Sequence, residues 1–371
     1  MGIGCLIRDL RAAHGWSQGR LADELCRVTG YKANITRTEV SRWERGKITP
    51  GPFWLRHLAT ALQVPLAMLE NPDVDRRTFL TDIAATAIAP IVASDLLTQG
   101  FASALSGRPT VDDWQAKLSL YGHDYMTAGA AEIQKRLSGD LVVLQQQLQS
   151  PHMWDVAAKL ATLYAKTFPG SDGSKAVDWY QMAAEVADRS GDPQARVWVR
   201  GRAAIALGYE GASLPVASRL AGEALAISEK PSLGRLNAIM GLAHVAAIEG
   251  NRPRAIRLLD EGRRVFDVAA SSDGEESDYA VPEWRMNVFV SLLAARMGDE
   301  KQAVQAQDQA MRKLPESLPR FRTHLEMHRG LMLARSGDRA AGAAHARAAL
   351  DALPPEKHSL TLRMLMDEVA A

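Results

Sequence analysis

The sequence predicts an all-α chain: a small basic domain in front, a helical connector, then a long stack of repeated helix pairs. Three observations predict it. Alanine is abundant while aromatic residues make up only 6% of the 371, a composition that favours helices over sheets. Charge is unevenly placed: residues 1–77 hold 12 Lys/Arg against 8 Asp/Glu, and the rest hold 32 against 35. Small residues recur at fixed offsets beyond residue 175, as stacked helix pairs require. The length exceeds one compact core, so the expected domains are 1–72, 73–150 and 151–371.

The first helix is set by Ile3, Leu6, Ile7 and Leu10, which recur at helical spacing ahead of Gly15. Ser17 is placed to cap the second, which carries Arg20, Leu21 and Leu25. A further helix is expected from Arg37 to Arg45, with Val40 and Trp43 inward and Gly46 ending it. That leaves Arg37, Thr38, Ser41 and Arg42 outward. Arginines interleaved with short polar residues suit a major groove, because arginine bonds guanine bidentately and Ser or Thr reaches phosphates or base edges. Cys5 and Cys26, the two cysteines of the chain, read as small buried residues in a reducing cytoplasm without disulfides.

Trp16-Ser17-Gln18-x-x-Leu21-Ala22, Val40-Ser41-Arg42-Trp43-Glu44-Arg45-Gly46-Lys47 and Pro50 resemble the Cro/C1-type (XRE family) helix-turn-helix. The resemblance continues through Leu55, Leu58, Ala59, Ala61 and Leu62 to Val64-Pro65 and covers about residues 3–70. It implies double-stranded DNA as a partner. Gln18 would touch phosphate or a neighbouring side chain, the 37–45 helix would enter the groove, and Arg45 and Lys47 would meet backbone. One departure stands out. Fourteen residues separate Leu25 from Val40, where the compact motif has about six, so a long loop or lengthened helices are expected.

The connector holds Asp75-Arg76-Arg77-Thr78-Phe79-Leu80 and an apolar stretch, superficially an export signal. It follows a whole domain, and Pro90 and Asp95 interrupt it, so neither export nor a membrane span is expected. A connector helix that packs against its own copy, as a dimerisation surface, or against the following array is the expectation. Residues 110–149 read as two more helices, with Asp112, Asp113 and Trp114 near the start of the first.

Beyond them, small residues stand seven apart at five places: Ala176 and Ala183, Ala217 and Ala224, Ala255 and Gly262, Ala303 and Ala310, Gly342 and Ala349. Gly250, Gly298 and Gly337 precede the last three sets by five residues. Glycine ends one helix and alanine lets the next approach. The expected units are 153–190, 192–230, 232–270, 278–316 and 318–354, with 357–370 as a capping helix. Ala270–Ser277 reads as a polar acidic loop inserted between the third and fourth.

These offsets resemble a degenerate tetratricopeptide (TPR) repeat, so the fold class becomes an N-terminal helix-turn-helix domain, a helical connector and a TPR-like α-solenoid. In that family the first helix of each pair lines a concave face. Carried over, the face holds Arg202, Tyr209, Asn237, Met240, His244, Arg285 and His324, with Arg296, Met327 and Arg335. Such a set suits a peptide, an acidic small molecule or a partner protein, and Trp198–Arg202 is its densest part. In layout the whole resembles actinomycete regulators of this type and the peptide-sensing regulators of Gram-positive bacteria.

No catalytic constellation, cofactor fingerprint or metal cluster is expected. His324 and His328 stand one turn apart, but Glu326 lies between them on another face. The expectation is a cytoplasmic, homodimeric, ligand-responsive transcription regulator. The alternative is an interaction scaffold that DNA merely tethers.

Overall fold

The computed structural model describes residues 3–13, 16–29, 35–62, 69, 109–168 and 174–371. Their regular elements are all helical, and the chain divides into two compact units, residues 1–97 and 98–371.

The first unit packs α1 (Ile3–Ala13), α2 (Gln18–Val28), α3 (Arg37–Glu44) and α4 (Pro52–Ala61) around Ile7, Leu10, Leu21, Leu25, Val40, Leu58 and Leu62. Ser17 caps α2 by accepting from the Arg20 amide at 3.1 Å. The long spacing before Val40 is met in part by a longer helix, since α2 runs on to Val28. Residues 30–34, Val64-Pro65 and the arginine-containing stretch 75–80 lie outside the described residues, as does the Cys5 side chain. Cys26 is half-buried against Ile35, with Sγ 3.5 Å from the Ile35 amide nitrogen.

The second unit begins with α5 (Val111–Thr127) and α6 (Ala130–Leu144), which pack directly on α7 (Pro151–Ala165). The stack therefore starts before residue 151, and these helices are part of it rather than of a separate connector. A capping box opens α5: Asp113 accepts from the Thr110 amide at 2.8 Å, and Thr110 Oγ1 accepts from the Asp113 amide. Buried Trp114 donates to Gln147 at 3.0 Å and locks α5 to the turn after α6.

Five helix pairs follow, α7 with α8 (Ser174–Ser190), α9 (Pro193–Glu210) with α10 (Leu214–Ile227), and α11 (Leu233–Ile248) with α12 (Arg252–Ala269). The last two are α13 (Glu283–Met297) with α14 (Glu300–Lys313) and α15 (Pro319–Arg335) with α16 (Arg339–Asp351), and α17 (Leu360–Ala370) closes against α15. The small-residue positions explain the pairing. All are buried except Ala349, which is half-buried. Gly250, Gly298 and Gly337 each take a positive φ between two helices of a pair.

First helices of successive pairs also pack on one another, most closely α9 on α11. Four glycines permit this. A Cβ on Gly201 would lie 2.0 Å from the Gly234 carbonyl oxygen, and one on Gly208 2.7 Å from that of Gly241. Gly234 and Gly241 face the α9 backbone just as tightly, at 2.6 and 2.7 Å. The two backbones touch where any side chain would hold them apart.

The acidic insert is not a free loop. The Asp278 amide donates to the Gly122 carbonyl of α5 at 2.8 Å, and Arg285 Nη1 donates to the carbonyls of Ser277, Asp278 and Ala280 at 2.8–3.2 Å. The insert is thereby drawn into the stack.

Candidate functional site

In the first unit, α3 is built to present one face. Thr36 and Glu39 form a capping box, the Glu39 carboxylate accepting from the Thr36 amide at 2.9 Å. At the other end, Gly46 (φ 66) donates to Trp43 and Lys47 donates to Arg42 across the last turn. This is the left-handed glycine stop that frees the chain to turn sharply. Val40 and Trp43 anchor the inner side, and the Trp43 ring lies 5.7 Å from Trp54 of α4. Arg37, Thr38 and Arg42 are left exposed, with Lys47 just beyond the stop. Ser41 is half-buried, and Arg45 folds back to donate to its hydroxyl at 2.7 Å.

Gln18 is already engaged. Its amide donates to Glu44 Oε2 at 2.7 Å, while Arg11 donates to both Glu44 oxygens at 2.5 and 3.1 Å. The bond to Glu44 holds the Arg11 guanidinium above its usual pKa. Arg11 Nη1 also donates to the Trp16 carbonyl at 2.6 Å. Arg11 and Glu44 therefore tie α1, α2 and α3 together, a role the sequence motif did not expose.

In the second unit, the expected open face is closed. Arg202, Tyr209, Asn237, Met240, His244, Arg285, Arg296, His324 and Met327 are all buried, and Arg335 alone of that set is exposed. The acids that pair with these arginines come from other parts of the chain. Arg202 and Arg285 donate to Asp278 Oδ1 at 2.7 and 2.9 Å, and Lys166 joins them on the same oxygen. Arg296 pairs with Glu368 of α17 at 2.9 Å and donates to the carbonyls of Gly208 and Tyr209. In the Trp198–Arg202 stretch, Arg200 pairs with Asp188 and Glu223, and the Trp198 ring sits 5.3 Å from Tyr279. That stretch is packing, not an open contact surface.

Asn237, Met240 and His244 are likewise interior rather than groove residues. Met240 fills the space over Gly262, and His244 accepts from Arg296 at 3.2 Å beside the Tyr209 ring. His324 and His328 converge on the Tyr209 hydroxyl at 3.3 and 2.9 Å, and the other His328 nitrogen meets Ser291 at 2.9 Å. Burial pushes all three histidines down, His324 to about 3 with Arg320 adding to the effect. They are neutral hydrogen-bonding groups at ordinary pH.

Four of the expected residues do meet around one cavity of about 90 Å³: Arg202, Tyr209, Arg285 and His324. Its other charged walls are Lys166, Glu210, Asp278 and Arg320, and Tyr125, Phe289 and Phe321 supply aromatic ones. The sequence reading missed Lys166, Asp278 and Arg320, which no single repeat offset connects. Burial alone would raise the Asp278 carboxyl, but Arg202, Lys166 and Arg285 outweigh it and hold it well below the usual range. Burial, with Arg202 beside it, pushes Lys166 well down, and burial pushes the Glu210 carboxyl up. Among the described residues no group of three or more His, Cys, Asp or Glu side chains could hold a metal ion, and no helix is long and apolar enough to cross a membrane.

Residues 3–71 match the helix-turn-helix domain family, so the first unit carries that DNA-binding domain. No curated protein sequence matches the chain. Among solved structures, the chain is similar to the crystal structure of Bacillus thuringiensis PlcR in complex with the peptide PapR7 and DNA. The two share 16% identity over 72% of this chain and 94% of that one, with a TM-score of 0.36. A superposition that loose transfers neither geometry nor ligand.

Proposed function

We propose that the chain is a sequence-specific DNA-binding transcription regulator, cytoplasmic and homodimeric, whose helical stack senses a signal. The observation that carries the first part is the exposed face of α3 within a matched helix-turn-helix domain. Arg37 and Arg42 read base edges, Thr38 and Ser41 contact bases or phosphates, Arg45 and Lys47 bear on the backbone, and Gln18 meets phosphate or a neighbouring side chain such as Glu44. A single such domain reads too few base pairs for useful specificity, so two copies act on half-sites about 34 Å apart or a multiple of that. The signal is a peptide, a small molecule or a partner protein, and the alternative is a scaffold tethered to DNA.

Selection of bound duplexes from a random pool tests this reading. The wild-type chain should enrich an inverted repeat. Arg37→Ala and Arg42→Ala should each cost roughly 1–3 kcal/mol at one base pair and relax preference there. Lys47→Ala should weaken every duplex alike. Unselective binding by the wild type would instead support the tethered scaffold, and a monomer by light scattering on the best duplex would end the dimeric part.

A further inference from the structure

We infer that the cavity bounded by Lys166, Arg202, Arg285 and Arg320 binds the anionic group, carboxylate or phosphate, of a compact ligand; the inference rests on the sensing role proposed above and names its chemistry. Charge is the first argument. Four basic side chains, three of them arginines, line the cavity against two carboxyl groups, Asp278 and Glu210. Asp278 is shared by Lys166, Arg202 and Arg285 through a single oxygen. Arg320 is buried, its hydrogen bonds among the described residues go to the carbonyls of Tyr125 and Met126 at 2.7 and 3.3 Å, and its guanidinium lies over the Tyr125 and Phe321 rings. Among the described residues no carboxylate lies within ion-pair distance of it. Buried charge without a counter-charge is costly, and an entering anion relieves that cost.

Unused hydrogen-bonding capacity is the second argument. Among the described residues Arg202 Nε and Arg285 Nε have no hydrogen-bond partner, on residues only 6% and 4% exposed. Buried donors of this kind are normally satisfied, and those that are not mark a place for a water, an ion or a ligand. Arginine forks are suited to carboxylate and phosphate, which accept two bonds at once.

Size and surroundings set the class of ligand. About 90 Å³ accommodates a few waters, at roughly 30 Å³ of liquid each, or one compact anionic group. The terminal carboxylate of a peptide is one such group. Val288, Phe289 and Phe321 lower the local dielectric, so each charged contact counts for more than at the surface.

The full-length chain without DNA is the material for the test, using calorimetric titration with inorganic phosphate, with acetate and succinate, and with chloride at equal ionic strength. Saturable binding of phosphate or of a carboxylate beyond chloride is expected. Arg320→Met should weaken it at least tenfold, Arg320→Lys should recover part of the loss, and Arg219→Ala on the exposed side of α10 should change nothing. A response to phosphate alone assigns a phosphate group, and a response to the carboxylates alone assigns a carboxylate. If Arg320→Met does not fold, Arg320→Lys and Lys166→Met carry the comparison. No saturable binding of either kind, or equal binding by wild type and the Arg320 and Lys166 variants, overturns the inference. Selective DNA binding without anion binding would refute the cavity assignment alone, while anion binding without selective DNA binding would refute the regulator reading alone.

Discussion

Glu44 and Asp278 are both buried carboxylates that hold several cations or donors from distant parts of the chain. Replacing Glu44 with Gln leaves Arg11 half-buried without a counter-charge and loosens α1 and α2 from α3. The expected cost is about 1.5–3 kcal/mol, measured as a shift of the urea midpoint. Operator affinity should fall with it while base preference stays the same, because none of the side chains proposed to face bases has changed. Asp278→Asn should be harsher, since three buried cations lose one shared acid, and about 3–5 kcal/mol is expected. Neither role was legible in the sequence. Glu44 sat inside a recognised motif, but its partners lie 26 and 33 residues away. Asp278 follows a loop that reads as a polar acidic insert, and its reach to Arg202 spans 76 residues.

At the scale of elements, helix pairing was legible because it is local. The glycine stops and the seven-residue spacing of small side chains sit within one or two turns of the contacts they make, so the pair limits in the structure follow the expected units closely. What the spacing did not reveal was the side of each first helix that would stay open. Closure depends on the insert and on α17, which no repeat pattern contains. The α9–α11 contact was missed for a related reason, because its glycines belong to no repeat offset. It yields a paired prediction. Gly201→Ala should destabilise by about 1–3 kcal/mol or more, because its Cβ would meet a backbone oxygen that cannot move aside. Gly222→Ala, in the exposed middle of α10 with nothing within 4 Å, should stabilise by about 0.5–1 kcal/mol. Thermal unfolding of both variants checks the sign of each.

At the scale of the whole molecule, the buried histidines make stability depend on pH. His244, His324 and His328 are held neutral by burial, so below pH 6.5 the unfolded chain binds protons that the folded chain refuses. Stability should be full above that pH and fall on acidification, by about 1.4 kcal/mol per pH unit for each such histidine. Asp278 adds a loss of the same sign once the unfolded carboxylate range is reached, while Glu210, shifted upward, opposes it. A melting temperature unchanged between pH 7 and pH 5 would contradict this. The long-range bonds bear equally on how the chain acquires its fold. An array with neighbour-only contacts can assemble piecemeal from any starting repeat. Here Arg320 bonds a carbonyl 195 residues earlier, and Thr361 reaches back 151 residues to Glu210. Such closures delay the last step of folding, because a long loop must be gathered before its bonds form. They also join the first helices of the stack to the last in a single cooperative event, so denaturant should melt residues 109–371 in one transition rather than repeat by repeat.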